Sequence, residues 1–491
     1  MSLLTLKTPA RLASVTSIDG CSMNDRVDPT GTARGHRHIL SGYAPWITAT
    51  QACLIIAMLV MAGGVMGRCR PAQGADQRPA AQTLPPGSVL TFDEAVKIAI
   101  TQAPYFAKSS VDIDIRRMDE TDSRYAMVPP LTFRTYYYVN RPTGVGHGQP
   151  YSLSFSMDPY NPLGAYFTLQ AQKLITQIAV LAHLKVISMG LGRLGEFYLE
   201  LDTMHKVAAC QKDIIQVSRE NLTYVENRMS IGTATSLDVT VARQQLELAL
   251  GEQEAITLTI KRVLIGLKNF LGLQNTQGVT PNYQDSRRQV LGNFDPATAS
   301  LEQAKKRSYD LKSMELYKEL QNYNIRQAIA KVFPAFLFNT QTPDPLSVTT
   351  GSGLYVGLGL EIPVWDGFKR VRNISRQRAV LKQMGAQTTE RESYLEDKWY
   401  ENLASMKEKG AAMKNTQTQE NLARLKAHQQ EVRYQSGDAP LTVILESRRE
   451  VLQAQKESLR RGLDYDKEVL LLREKSGDLG NSYVDANSWQ K

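Results

Sequence analysis

Arg228-Met-Ser-Ile-Gly232-Thr-Ala234 and Arg433-Tyr-Gln-Ser-Gly437-Asp-Ala439 are the two stretches on which the reading of the fold turns. In each, an arginine stands four residues before a glycine, at the end of a run without proline (171–230 and 371–435). A cation in the last turn complements the helix dipole, and a glycine takes the left-handed cap that ends a helix. Each stretch therefore reads as the tip of a helical hairpin, reached by a helix that at ~1.5 Å per residue spans ~90 Å. Return helices are expected over 236–271 and 441–475. In the second, Leu445, Leu452 and Leu459 recur every seven residues with charges between them, as in a coiled-coil seam.

The two tips, Gly232 and Gly437, stand 205 residues apart, and other positions share that register. Pro104, within Thr101-Gln-Ala-Pro-Tyr-Phe106, corresponds to Tyr309, and Pro129 corresponds to Pro334. A common offset across several words predicts a tandem duplication. The expected organisation is a leader over 1–70, a linker over 71–89, a first repeat over 90–280, a second over 281–476 and a tail over 477–491.

Within each repeat the same order is expected. Thr91-Phe-Asp-Glu94 is a capping box that opens a helix running to 127, with its counterpart over 296–331. After the proline breaks the period changes from helical to two, predicting strands over 131–139 and 151–169, then 333–340 and 354–362. The segments between them, 140–150 and 341–352, are rich in Gly, Pro and Thr and read as exposed loops.

The apolar run Ala52–Val65, flanked by arginines, has the length of a signal core and falls short of the ~20 residues of a spanning helix. Nothing after it is read as a membrane helix, so a membrane-spanning reading requires strands. Cys69, just beyond the run, is a possible lipid attachment point, although Arg68 stands where a lipobox has a small residue.

The net charge of +9 divides into +4 on residues 1–82 and +5 on the remainder, a solvated surface without a phosphate-binding stripe. Nucleic-acid binding is not expected. The cysteines are Cys21, Cys53, Cys69 and Cys210, and no Cys/His pair has zinc spacing. No catalytic set stands out, and no enzyme activity, cofactor or metal is expected. The glycine triplet Gly190-x-Gly192-x-x-Gly195 spells a dinucleotide fingerprint, but that motif requires a preceding strand. Here it falls inside the long helix, where glycines allow close helix contact.

The order of elements, the opening Leu90-Thr-Phe-Asp-Glu-Ala-Val96 and the two tips resemble the outer-membrane efflux protein family, the TolC-like exit ducts. The most specific words are Gly357-Leu-Gly-Leu-Glu-Ile-Pro363-Val-Trp365-Asp366-Gly367, similar to the family's strand-to-helix junction. Phe368 stands where a second glycine is usual, and the first repeat has Gln172-Lys-Leu-Ile175 in place of a junction.

The resemblance implies a mainly α fold of long antiparallel hairpins, with four strands per subunit entering one trimeric twelve-stranded barrel in outer-membrane lipid. It implies a homotrimer whose helices cross the periplasm and whose tips meet a periplasmic adaptor and, through it, an inner-membrane transporter. Arg228, Ile231, Gly232, Thr233, Arg433, Gly437 and Asp438 are the implied adaptor contacts. Asp238, Tyr434 and Glu446 are the implied aperture residues.

Family apertures carry acids six and nine residues past the second tip glycine and an arginine two past it. Here Val443, Glu446 and Ala439 occupy those places, so one acid survives and the arginine is absent. Each aperture residue has a plainer reading: Asp238 as the third residue of a capping box with Thr235, Glu446 as a surface coiled-coil charge, Tyr434 as tip packing. The competing reading of the whole chain is a periplasmic coiled-coil scaffold without a pore, which leaves the strands unexplained.

Overall fold

In a computed structural model, residues 89–137, 151–273, 280–342 and 355–483 are described. The leader with Cys69, most of the linker and loop residues 140–150 and 343–352 lie outside them.

A short strand β1 (Val89–Leu90) precedes helix α1 (Phe92–Gln102), whose capping box pairs Thr91 with Glu94 in both directions. The expected continuous helix to 127 is in fact two. Ala103 is extended, and Pro104, lacking an N–H, opens α2 (Pro104–Tyr125) at the position where none is needed. The counterpart over 296–331 breaks likewise, at Ser308, into α6 (Leu301–Arg307) and α7 (Tyr309–Ala330). Ala103 and Ser308 are again 205 residues apart.

Strands β2 (Leu131–Tyr137) and β3 (Tyr151–Tyr160) follow α2. β3 ends nine residues before the expected 169, because Asn161 caps the next helix and Pro162 starts it. Asn161 Oδ1 accepts from Gly164 N (3.0 Å) while its Nδ2 donates to Ala330 O (2.6 Å), tying the two repeats together. The first long hairpin is α3 (Pro162–Ser230) and α4 (Ser236–Leu271), closed by Gly272 at φ 73°.

Strand β4 (Thr280–Pro281) pairs in parallel with β1, and α5 (Ser286–Leu291) follows. The second sheet half is β5 (Ala335–Gln341) and β6 (Tyr355–Glu361). The second hairpin is α8 (Lys369–Gln435) and α9 (Leu441–Lys475), and α10 (Asp478–Tyr483) closes the described chain.

α3 is the central staff. It packs against α2 and α4, and against α7 and α9; α8 packs on α7 and α9. The main core gathers at the middle of α3, where Ile187, Leu191, Leu194 and Tyr198 are all but sealed and meet Phe92, Leu267, Leu271 and Leu470. At about 1.5–3 kcal/mol per buried large side chain, this cluster dominates the stability of the subunit. Tyr198 donates to Leu90 O (3.0 Å) and its ring meets Phe92 edge-on, so the short β1–β4 pair is anchored to the staff. Toward the tips only small clusters remain, such as Val225 with Val239 and Ala242, since two helices cannot enclose a core.

One correction concerns α3. An 18-residue window of it has a mean hydropathy of 1.7, enough by length and composition to cross a membrane, although the sequence reading recognised no such segment after the leader. Of that window 56% is buried by neighbouring elements, which accounts for its apolar character.

Candidate functional site: hairpin tips, junction and two-faced sheet

At the first tip Gly232 is left-handed (φ 77°), and Thr233 N donates to Arg228 O (2.8 Å), satisfying a carbonyl the helix leaves open. Arg228 then folds over its own tip: Nη2 donates to Thr233 O (2.8 Å) and the guanidinium lies 6.0 Å from the Tyr224 ring centroid. At the second tip Gly437 has φ 82°, and Asp438 N donates to Arg433 O (2.8 Å). Ile231 is 72% exposed, a bare apolar side chain at the extremity of the hairpin.

Asp238 is engaged locally. Its carboxylate accepts from Thr235 N and Oγ1 (2.8 Å each), and its own N–H reaches back to Thr235 Oγ1, a complete capping box. The Thr235 backbone hydrogen bond, then its hydroxyl, holds the Asp238 carboxyl below the usual aspartate range. Its pKa is depressed, so this cap is intact at neutral pH and weakens as pH falls below the ordinary carboxylate value. Glu446 is exposed and has no hydrogen bond or ion pair among the described residues. Tyr434 is 44% exposed on the second tip.

Sequence reasoning missed a matched pair of ion bridges. Arg243 reaches Glu226 at 3.6 Å across the first hairpin, and Arg448 reaches Glu431 at 3.6 Å across the second. Both partners obey the 205-residue offset, so the equal acid-to-arginine spacing in the two repeats was the available signal. Such exposed pairs contribute little stability and serve to align the helices.

At the junction Pro363 and Val364 lead into Trp365-Asp366-Gly367-Phe368. Asp366 Oδ2 accepts from Arg370 N (3.0 Å), holding the first turn of α8. Gly367 (φ 63°) and Phe368 (φ 61°) are both left-handed, which explains why two glycines suit this place. Phe368 therefore carries strain of about 1–2 kcal/mol, offset in part by its edge contact with Trp365 at 5.1 Å. Phe368→Gly is expected to raise the thermal midpoint of the detergent-solubilised protein slightly. Phe368→Ala, which keeps the strain and loses the ring, should lower it.

The sheet has the order β2-β3-β5-β6 and is antiparallel throughout. Its register separates two faces. Leu131, Phe133, Leu153, Phe155, Met157, Phe336, Phe338, Val356, Leu358 and Leu360 share one face with Thr135, Tyr137, Tyr151 and Thr340; Thr132, Arg134, Ser152, Ser154, Ser156, Asn339, Gln341, Gly357, Gly359 and Glu361 occupy the other with Tyr136, Ala335, Leu337 and Tyr355. The apolar face is open: Leu358 is 85% exposed, Val356 63% and Leu131 64%. Among the described residues, the outer edges of β2 and β6 have no partner strand.

Among the described residues no group of His, Cys, Asp or Glu side chains could hold a metal ion, and Cys210 is a buried free thiol. Gly190, Gly192 and Gly195 lie within α3 rather than in a strand-to-helix loop.

No family model and no curated protein sequence matches this chain. Solved structures do. A membrane protein from Pseudomonas aeruginosa superposes with a TM-score of 0.65 at 17% identity, over 79% of this chain and 90% of its own. The Campylobacter jejuni CmeC outer membrane channel gives 0.63 at 14%, over 81% and 88%. The open state of the Neisseria gonorrhoeae MtrE outer membrane channel gives 0.63 at 12%, over 79% and 88%. With long paired hairpins, a small two-faced sheet and these neighbours together, the chain has the fold of the TolC-like outer-membrane efflux channels.

Proposed function

We propose that this chain is one subunit of a homotrimeric exit duct: its strands close a barrel in outer-membrane lipid and its hairpins form a tunnel through the periplasm. The observation that carries this reading is the exposed apolar face of the four-stranded sheet, backed by a face on which serines, glycines and amides outnumber apolar side chains. In water such a face would be buried; in lipid it is the solvated side. Three copies joined edge to edge, β6 of one to β2 of the next, leave no open strand edge.

The reading includes a tandem duplication, supported by the recurrence of hairpins, helix breaks and tip ion pairs at one offset. It also includes passive conduction from an inner-membrane pump through a periplasmic adaptor, which meets the tips around Ile231-Gly232-Thr233 and Gly437-Asp438. The duct performs no chemistry of its own. A scaffold without a pore accounts for the hairpins but not for the apolar face.

Membrane fractionation tests this directly. The protein should be recovered in the outer membrane as a heat-modifiable trimer that conducts ions in planar bilayers; a peripheral monomer would refute the duct. At the aperture, the three unpartnered Glu446 carboxylates should attract cations. Glu446→Gln should therefore lower the cation preference of the closed duct, and an unchanged preference would remove Glu446 from the aperture.

A further inference from the structure

Only three described strand residues carry charge: Arg134 on β2, Asp158 on β3 and Glu361 on β6. Their heights differ. Glu361 pairs with Ala335 at the end of the sheet nearest the helices, and Asp158 lies in the register shift between Met157 and Tyr160 at that same end. Arg134 stands three residues farther along β2 than Leu131, about 10 Å toward the opposite rim at ~3.3 Å per residue.

Arg134 is on the polar face, in one row with Ser154 and Gln341. Its side chain is exposed and has no hydrogen bond or ion pair among the described residues. The flanking residues on this face, Thr132, Tyr136, Ser152, Ser154, Ser156 and Asn339, carry no charge. On this face β6 places Tyr355 in the row of Arg134, paired with Gln341, and Gly357 and Gly359 in the next two rows toward the helices, so none of the β6 residues at or near the height of Arg134 is charged.

We propose that Arg134 is the charge-selecting residue of the β-pore, favouring anions through a ring of three guanidinium groups, one from each subunit. This rests on the duct reading, which turns the polar face into the lumen. Inside a pore walled by low-dielectric lipid, a ring of like charges raises the local concentration of counter-ions and repels ions of its own sign. Glu361, on the same face at the helical end, forms a separate belt of opposite sign, so the pore carries an axial charge step, with the positive ring nearer the rim.

The test is the reversal potential of the trimer in planar bilayers under a potassium chloride gradient. Measurements are made in the Glu446→Gln background, so that the aperture acid does not mask the β-pore. Arg134→Gln should lower the chloride-to-potassium permeability ratio about threefold and Arg134→Glu should lower it further. Arg134→Lys should retain the ratio. Ser154→Asp, which places a carboxylate in the same row and leaves Arg134 intact, should lower it as well. Parental ratios in the Gln, Glu and Asp variants would overturn the proposal while leaving the duct standing. A parent protein that conducts nothing would overturn the duct reading and this inference with it.

Discussion

Gly190→Ala is expected to destabilise the protein by about 1–3 kcal/mol, and Gly190→Val by more, although alanine is the better helix former by about 1 kcal/mol. The reason is local. A Cβ at Gly190 would stand 2.4 Å from the Phe106 ring, and Phe106 is 2% exposed, wedged beside Tyr105 and Phe270. The ring has nowhere to go without opening the main core. Gly195 is of the same kind, with Val290 Cγ1 at 2.7 Å and Leu470 Cδ2 at 2.9 Å of its absent Cβ. Gly192 differs: its neighbour is Glu474 Oε2, the far end of a flexible side chain. Gly192→Ala should therefore cost much less than the other two. Gly462→Ala on α9, where nothing lies within 4 Å, should gain up to about 1 kcal/mol. Thermal midpoints of the four purified variants check the order. Equal losses at all three motif positions would mean that close packing is not what the glycines provide, and tight nucleotide binding by the parent would restore the discarded fingerprint reading.

The long hairpins were legible because their signals are local. Arg228 and Gly232 cap one helix, Arg433 and Gly437 the other, and the proline-free runs between breaks have no competing interpretation. The second-repeat strands were legible because Leu354–Ile362 alternates cleanly and ends at a proline. The first-repeat strand was overextended to 169 because Tyr166-Phe167 and Leu169 continue an apolar pattern that belongs to α3. Asn161, whose amide also binds Ala330 O across the repeats, sets that boundary, and such a partner is invisible in sequence. The break at Ser308 was hidden for a related reason: unlike Pro104, Ser308 forbids nothing and ends the helix by capping the next one, accepting from Leu311 N. The two faces of the sheet needed the register between strands, and only the register showed Arg134 in one row with Ser154.

Substituting Arg473 by methionine should be the most damaging single change to a charged side chain, with an expected loss of about 2–4 kcal/mol. Methionine keeps most of the volume, so the loss isolates the polar contacts. Arg473 lies in the last turn of α9, where a cation also complements the helix dipole, and it is 8% exposed. Its Nη1 donates to Val290 O (2.7 Å) and its Nε to Asp478 Oδ2 (3.0 Å), so one side chain ties α9 to α5 and to α10. Without it the Val290 carbonyl loses a buried donor, and Asp478 keeps the longer bridge to Arg307 at 3.7 Å. α10 should then loosen, taking with it Tyr483, which packs edge-on against Phe92 and donates to Asp93 Oδ1 (3.0 Å). Amide exchange should rise in α10 and in the first turn of α1 before it rises in the hairpins. Arg448→Met, at an exposed tip pair with 53% of its side chain in solvent, should cost well under about 1 kcal/mol. If the two substitutions cost the same, Arg473 is not the clasp that its geometry indicates, and the closure of the main core must be credited to apolar contacts alone.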